Sequence, residues 1–140
     1  MHNNFYFLRQ LSNSLSKTLD RAVVSECFSQ NKDELIVRFE THNGSFFIRA
    51  SLQPTLSGLS FSDNFNRARK NSVDLFPALI GQRFVNLRLF QNERSFGLEL
   101  TNALCLVFKM HGSRSNIILF ENENVKELFS AFSNVTVTVQ

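Results

Sequence analysis

Residues 35–52 constrain the fold more than any other stretch. Leu35, Val37 and Phe39 alternate with Ile36, Arg38 and Glu40, the pattern of a strand with one face buried. The run ends in His42-Asn43-Gly44-Ser45, a hairpin signal, because Asn-Gly readily supplies the positive φ values of a tight turn. Residues 46–52 then return as the partner strand. Other segments extend the β pattern. Residues 22–30 read as a strand, and Asn31-Lys32-Asp33-Glu34 reads as a turn. Pro54 and Gly58 mark a loop before a short stretch at Leu59–Phe61. Strands are predicted at about 83–91, 95–101, 103–110 and 116–121. A short one near 125–129 and a Thr/Val stretch at 134–139 complete the set.

Two segments carry a helical period instead. Phe5, Leu8, Leu11, Leu15 and Leu19 fall at steps of three and four, one face of an amphipathic helix over residues 2–19. Phe65, Ala68, Ser72, Phe76 and Leu79/Ile80 share a face of a second helix over about 63–80, with Gly81 as its C-terminal cap. Pro77 removes a backbone donor late in that helix.

The order of elements repeats. A shift of 61 residues lays Leu19 on Ile80, Val23 on Phe84, Leu35 on Phe96, Val37 on Leu98 and Phe39 on Leu100. The expected fold class is therefore α+β: one domain over 1–140, with internal copies at about 2–61 and 63–121. Two mainly antiparallel sheets, related by a pseudo-twofold, would pack face to face with two main helices at their edges.

Composition limits the chemistry. The 140 residues are 43% hydrophobic and include 16 Phe but no Trp, enough for a core; exposed Phe as a base-stacking platform is the alternative use. Charge is uneven. Residues 67–120 hold eight Lys/Arg against three acids, whereas 1–66 hold six of each, so the middle of the chain is the part that could meet phosphates. Cys27 and Cys105 lie in apolar stretches without metal-ligand spacing and read as reduced core residues. No signal-peptide pattern or transmembrane run is present, so a cytoplasmic protein away from membranes is expected.

Nucleophile elbows, phosphate-binding glycine loops and paired metal-ligand motifs are missing from the sequence. His2, His42 and His111 lack partner carboxylates or cysteines at ligand spacing. The expectation is a binding protein, not an enzyme, without metal or other cofactor. Three segments are candidates for the binding. Arg67, Arg69 and Lys70 fall on the second helix, where Arg67 and Lys70 are neighbours at i,i+3; they suit either a phosphate track or an ordinary solvated face. Gln91-Asn92-Glu93-Arg94-Ser95 is a turn in which Glu93 could orient the planar fork of Arg94 onto phosphate or a base edge; a generic charged turn has the same composition. Met110-His111-Gly112-Ser113-Arg114-Ser115-Asn116 connects two apolar strands. It serves equally as a binding loop presenting Arg114 or as a turn locked by its own hydrogen bonds.

Together these segments resemble the N-terminal domain of the NFACT family, also called fibronectin-binding protein A, over nearly the whole chain. Gln91-Asn92-Glu93-Arg94 resembles the family's stretch ending in Asp-Arg. Met110 to Leu119 resembles its Met-Gly-Arg-His-Ser-Asn-Ile-Ile-Leu segment, so His111, Gly112 and Asn116 fall in the family's motif loop. The opening helix, Cys27 to Leu35 and Arg67 to Ser72 are similar to the version in Bacteroidetes-type members. The resemblance implies a sandwich like that of formamidopyrimidine-DNA glycosylases. The chain begins Met1-His2-Asn3-Asn4 and lacks the Pro-Glu nucleophile pair of those enzymes, so their activity is not expected. It also implies a role in ribosome quality control. Relatives bind large ribosomal subunits obstructed by peptidyl-tRNA and recruit tRNA to extend the stalled chain. Glu93 and Arg94 match the Asp-Arg pair tied to tRNA, Glu placing the carboxylate one methylene further out. Fibronectin is the partner implied by the family's older name.

Overall fold

The computed structural model describes residues 13–31, 34–52, 58–65, 67, 72–90, 95–109 and 116–129. Among these, two five-stranded antiparallel sheets account for most of the chain. In the first, β1 (Val23–Asn31), β2 (Glu34–Thr41), β3 (Gly44–Ser51) and β4 (Gly58–Ser62) form a meander, and the short β5 (Val73–Asp74) adds to the free side of β1. The second holds β6 (Phe84–Phe90), β7 (Ser95–Leu100), β8 (Leu104–Lys109), β9 (Asn116–Glu121) and β10 (Asn124–Leu128), again in sequence order.

The alternation seen in the sequence decides which face turns inward. Leu35, Val37 and Phe39 are fully buried, and their ladder partners Ala50, Ile48 and Val24 share that face. Phe96, Leu98 and Leu100 do the same opposite Phe108, Leu106 and Leu104. One cluster of buried side chains draws on both sheets, so the inner faces meet as a two-layer core. Within it the Phe96 and Phe108 rings stack at 4.9 Å.

The two meanders correspond rung by rung. Val24↔Phe39 and Cys27↔Val37 match Phe84↔Leu100 and Leu87↔Leu98, and both ladders are interrupted at the same place, Ser25 in one and Val85 in the other. Val23 and Arg83 hold equivalent positions and face each other in an isolated antiparallel bridge. The Val24 N–H donates to the Gln82 carbonyl at 2.9 Å, and the Phe84 N–H donates to the Ala22 carbonyl at 2.8 Å. These bonds are mates about a local twofold. The offset of 61 residues holds only between β2 and β7. It is one less between β1 and β6 (Val24 to Phe84) and three less between β3 and β8 (Ile48 to Leu106), because the second hairpin is shorter. Leu19 accordingly corresponds to Leu79 rather than Ile80. Both leucines are fully buried, whereas Ile80 is 47% exposed.

The expectation of two main helices is corrected. Of the first, residues 13–18 are helical and the Leu19 N–H donates to the Leu15 carbonyl; residues 2–12 lie outside the described residues. The second helix does not form among the described residues of 63–80. Val73 and Asp74 pair with Ser29 and Phe28 of β1, and only a 3-10 turn, Pro77–Leu79, follows. Proline disfavours the right-handed helical region for the residue before it, and Phe76 sits in the left-handed region at φ 46°. The hairpin at Asn43-Gly44 also differs in detail: Gly44 alone takes the positive φ, 112°. The predicted stretch at 134–139 lies outside the described residues.

Candidate functional site

Among the described residues, two regions that hold or adjoin the sequence candidates gather polar side chains, and they are built differently. The first is the outward face of the β1–β5 sheet. Its strands place Glu26 and Phe28 opposite Arg38 and Ile36, with Phe47 and Arg49 on the next strand. Phe65 packs onto Phe28, Ile36 and Phe47 as a small second core. Three guanidinium groups lie over these rings: Arg67 over Phe28 at 4.3 Å, Arg38 over Phe47 at 5.5 Å and Arg49 over Phe65 at 5.7 Å.

Each of these cations also has a carboxylate. Arg67 reaches Asp74 at 2.8 Å and Glu26 at 3.4 Å, and its Nε donates to Ser72. Arg38 pairs with Glu40 at 2.7 Å and Glu26 at 3.3 Å. Arg49 donates to Glu34. Burial pushes the Glu40 carboxyl up, but hydrogen bonds from Ser45 and Ser25 and the Arg38 charge outweigh it and hold Glu40 below its ordinary value. The face is thus neutralised from within, and an incoming phosphate would compete with carboxylates already in place.

The second region is one end of the β6–β10 sheet. Phe90 pairs with Ser95, Ser95 with Lys109, and Lys109 with Asn116, so four neighbouring strands end in a single row. The β6–β7 connection, residues 91–94, and the β8–β9 connection, residues 110–115, both leave from this row. Adjacent strands lie about 5 Å apart, so the feet of the two connections are neighbours. Ser95 is fully buried and its hydroxyl has no hydrogen-bond partner among the described residues. Asn116 is 2% exposed, and its side-chain oxygen accepts from the Ile117 N–H at 2.8 Å.

Of the residues singled out from sequence, Arg67 and Asn116 are described; Arg69, Lys70, Glu93, Arg94, His111, Gly112 and Arg114 lie outside the described residues. Arg67 is not on a helix. It stands between Phe65 and Ser72 as a clasp onto β1 and β5. Sequence reasoning overlooked Ser95 and Lys109 as a pair. Their signal was available, since each is the strand residue next to a candidate loop.

No protein-family model matches the chain, and no curated protein matches it by sequence. Solved structures do. The N-terminal domain of fibronectin-binding protein PavA from Streptococcus pneumoniae matches with a TM-score of 0.79 at 15% identity, over 98% of this chain and 57% of that one. The N-terminal part of the fibronectin/fibrinogen-binding protein from Streptococcus suis gives 0.77 at 17% identity, over 96% of this chain and 57% of that one. The fibrinogen-binding protein from Staphylococcus aureus gives 0.75 at 17%, over 93% and 51%. The chain therefore spans little more than half the length of these structures. At such identities the likeness concerns architecture, and this chain has the fold of the PavA N-terminal domain.

Proposed function

We propose that this chain is the N-terminal domain of an NFACT-type ribosome quality control factor and that it engages tRNA and the obstructed large ribosomal subunit in the cytoplasm. In this reading it binds and positions, and carries out no covalent step. The observation that carries the proposal is the row Phe90–Ser95–Lys109–Asn116. It anchors side by side the two connections that hold Glu93-Arg94 and His111 to Arg114. Two loops that resemble family motifs far apart in sequence thus share one end of one sheet. The excess of cations over 67–120 supports the same reading, because phosphate contacts supply most of the affinity for nucleic acids. The fold likeness to fibronectin-binding proteins is compatible with it.

A second reading, protein binding, is favoured by the names of those neighbours: one is fibronectin-binding, one fibronectin/fibrinogen-binding and one fibrinogen-binding. The full-length protein, titrated with labelled tRNA, duplex DNA and fibronectin at two salt concentrations, separates the readings. Binding of tRNA that weakens steeply with salt is expected. Tight fibronectin binding with no tRNA binding would overturn the proposal.

A further inference from the structure

β1 and β6 are equivalent strands, yet among the described residues only β1 is joined on its free side. There β5 sets Asp74 opposite Phe28 and Val73 opposite Ser29. The equivalent residues of β6 are Arg88 and Leu89. Past the Val23↔Arg83 bridge, no strand lies beside β6 on that side among the described residues. An edge of this kind presents unpaired main-chain N–H and C=O groups. Its side chains are open as well: Val85 is 60% exposed and the Arg88 side chain 57%.

We propose that the β6 edge is a docking lane for an extended acidic peptide, which adds to the second sheet as β5 adds to the first. The twofold supplies the template. In the first sheet the added strand contributes a carboxylate, Asp74, that meets a guanidinium, Arg67, at 2.8 Å. In the second sheet the guanidinium is already on the strand. Arg88 lies 3.4 Å from Glu99 of β7, and an acidic residue seated opposite it would complete the same contact from the open side. An apolar residue further along the peptide would cover Val85. A second copy of the chain fits poorly, because pairing about Arg88 would set like charges together and the irregularity at Val85 breaks a flat edge. The inference stands apart from the RNA reading, which concerns the ends of the strands rather than the edge of β6.

The test uses the 15N-labelled chain and a capped synthetic peptide, Asn-Ser-Val-Asp-Leu-Phe, copied from residues 71–76. Saturable amide shifts confined to β6 are expected. They should vanish when alternate peptide amides are N-methylated, since strand addition uses main-chain hydrogen bonds. Replacing the peptide Asp with Lys should weaken binding about fivefold, the scale of an exposed ion pair, and Arg88→Glu should reverse that preference. Spectra of the first sheet, unchanged by Arg88→Glu, establish that the variant is folded. The proposal is overturned if β6 does not respond, if the N-methylated peptide binds equally, or if the shifts fall on β1 through displacement of β5. It is also overturned if tRNA moves the β6 amides and the peptide does not.

Discussion

The Arg67 guanidinium lies 4.3 Å from the centre of the Phe28 ring while it spans Glu26 and Asp74. A cation expected on a helix surface instead joins Asp74 of β5 to Glu26 and Phe28 of β1. Arg67→Ala should therefore destabilise the chain by about 1–2 kcal/mol, mostly through the lost cation–π contact and packing. Arg67→Lys should recover little, because a point charge cannot span both carboxylates. Urea denaturation of the three proteins measures this. A loss below about 0.5 kcal/mol would reduce the clasp to an ordinary surface contact.

Gly97 leaves room for the Cys105 thiol. A Cβ at position 97 would lie 2.8 Å from the Cys105 Sγ and 3.4 Å from both Phe90 and Val107. Gly97→Ala should cost about 1 kcal/mol by overpacking, and the cost should fall in a Cys105→Ala background. The thiol is poorly reactive as well, because burial and then Glu99 push it up to about 11. A double-mutant cycle by thermal melting reads the coupling; additive effects would contradict it.

At the tip between β9 and β10, Asn122 and Glu123 both take left-handed backbone, with φ 55° and 69°. A two-residue turn with both values positive favours glycine, and Glu123 gains nothing from its side chain there, being exposed. Glu123→Gly should raise stability by about 0.5 kcal/mol, the relief of left-handed strain less the entropy of the added glycine. An unchanged or lower melting temperature would contradict this.

Glu40 gives stability a dependence on pH. Its carboxyl is held below its ordinary value in the folded chain, so its contribution is complete above the unfolded value and disappears as pH falls through the folded one. The melting-temperature gap between the native chain and Glu40→Gln should be constant near neutrality and close in acid, as pH falls below the ordinary carboxylate range. A gap that persists in acid would mean that Ser45 and Ser25 hold the protonated carboxyl as well as the carboxylate, and the amide less well.

The strands were legible because half-buried strands alternate, and alternation survives a change of every residue that keeps its character. The second helix was not. Phe65 and Phe76 are eleven residues apart and mimic a helical face, yet Phe65 covers the outer cluster and Phe76 the main core. Periodicity reports that residues are buried together, not in which core. The constant repeat offset failed for a similar reason: strand pairing conserves rungs, while hairpin lengths drift. At the candidate site, the two loops were legible as segments, but the row that joins their feet comes from strand order. No spacing in the chain encodes that.

Arg94 is the residue on which tRNA engagement most depends in the proposed function. The direct measurement is tRNA recovery on obstructed large ribosomal subunits with the full-length protein, native and Arg94→Ala, alongside melting of the 140-residue chain. If Arg94 holds a phosphate or base edge, recovery should fall by on the order of 1–3 kcal/mol, or about five- to 150-fold. The melting temperature should stay unchanged, as expected of a side chain that contributes to binding rather than to folding. Undiminished tRNA recovery would contradict the account whatever the melting curve does.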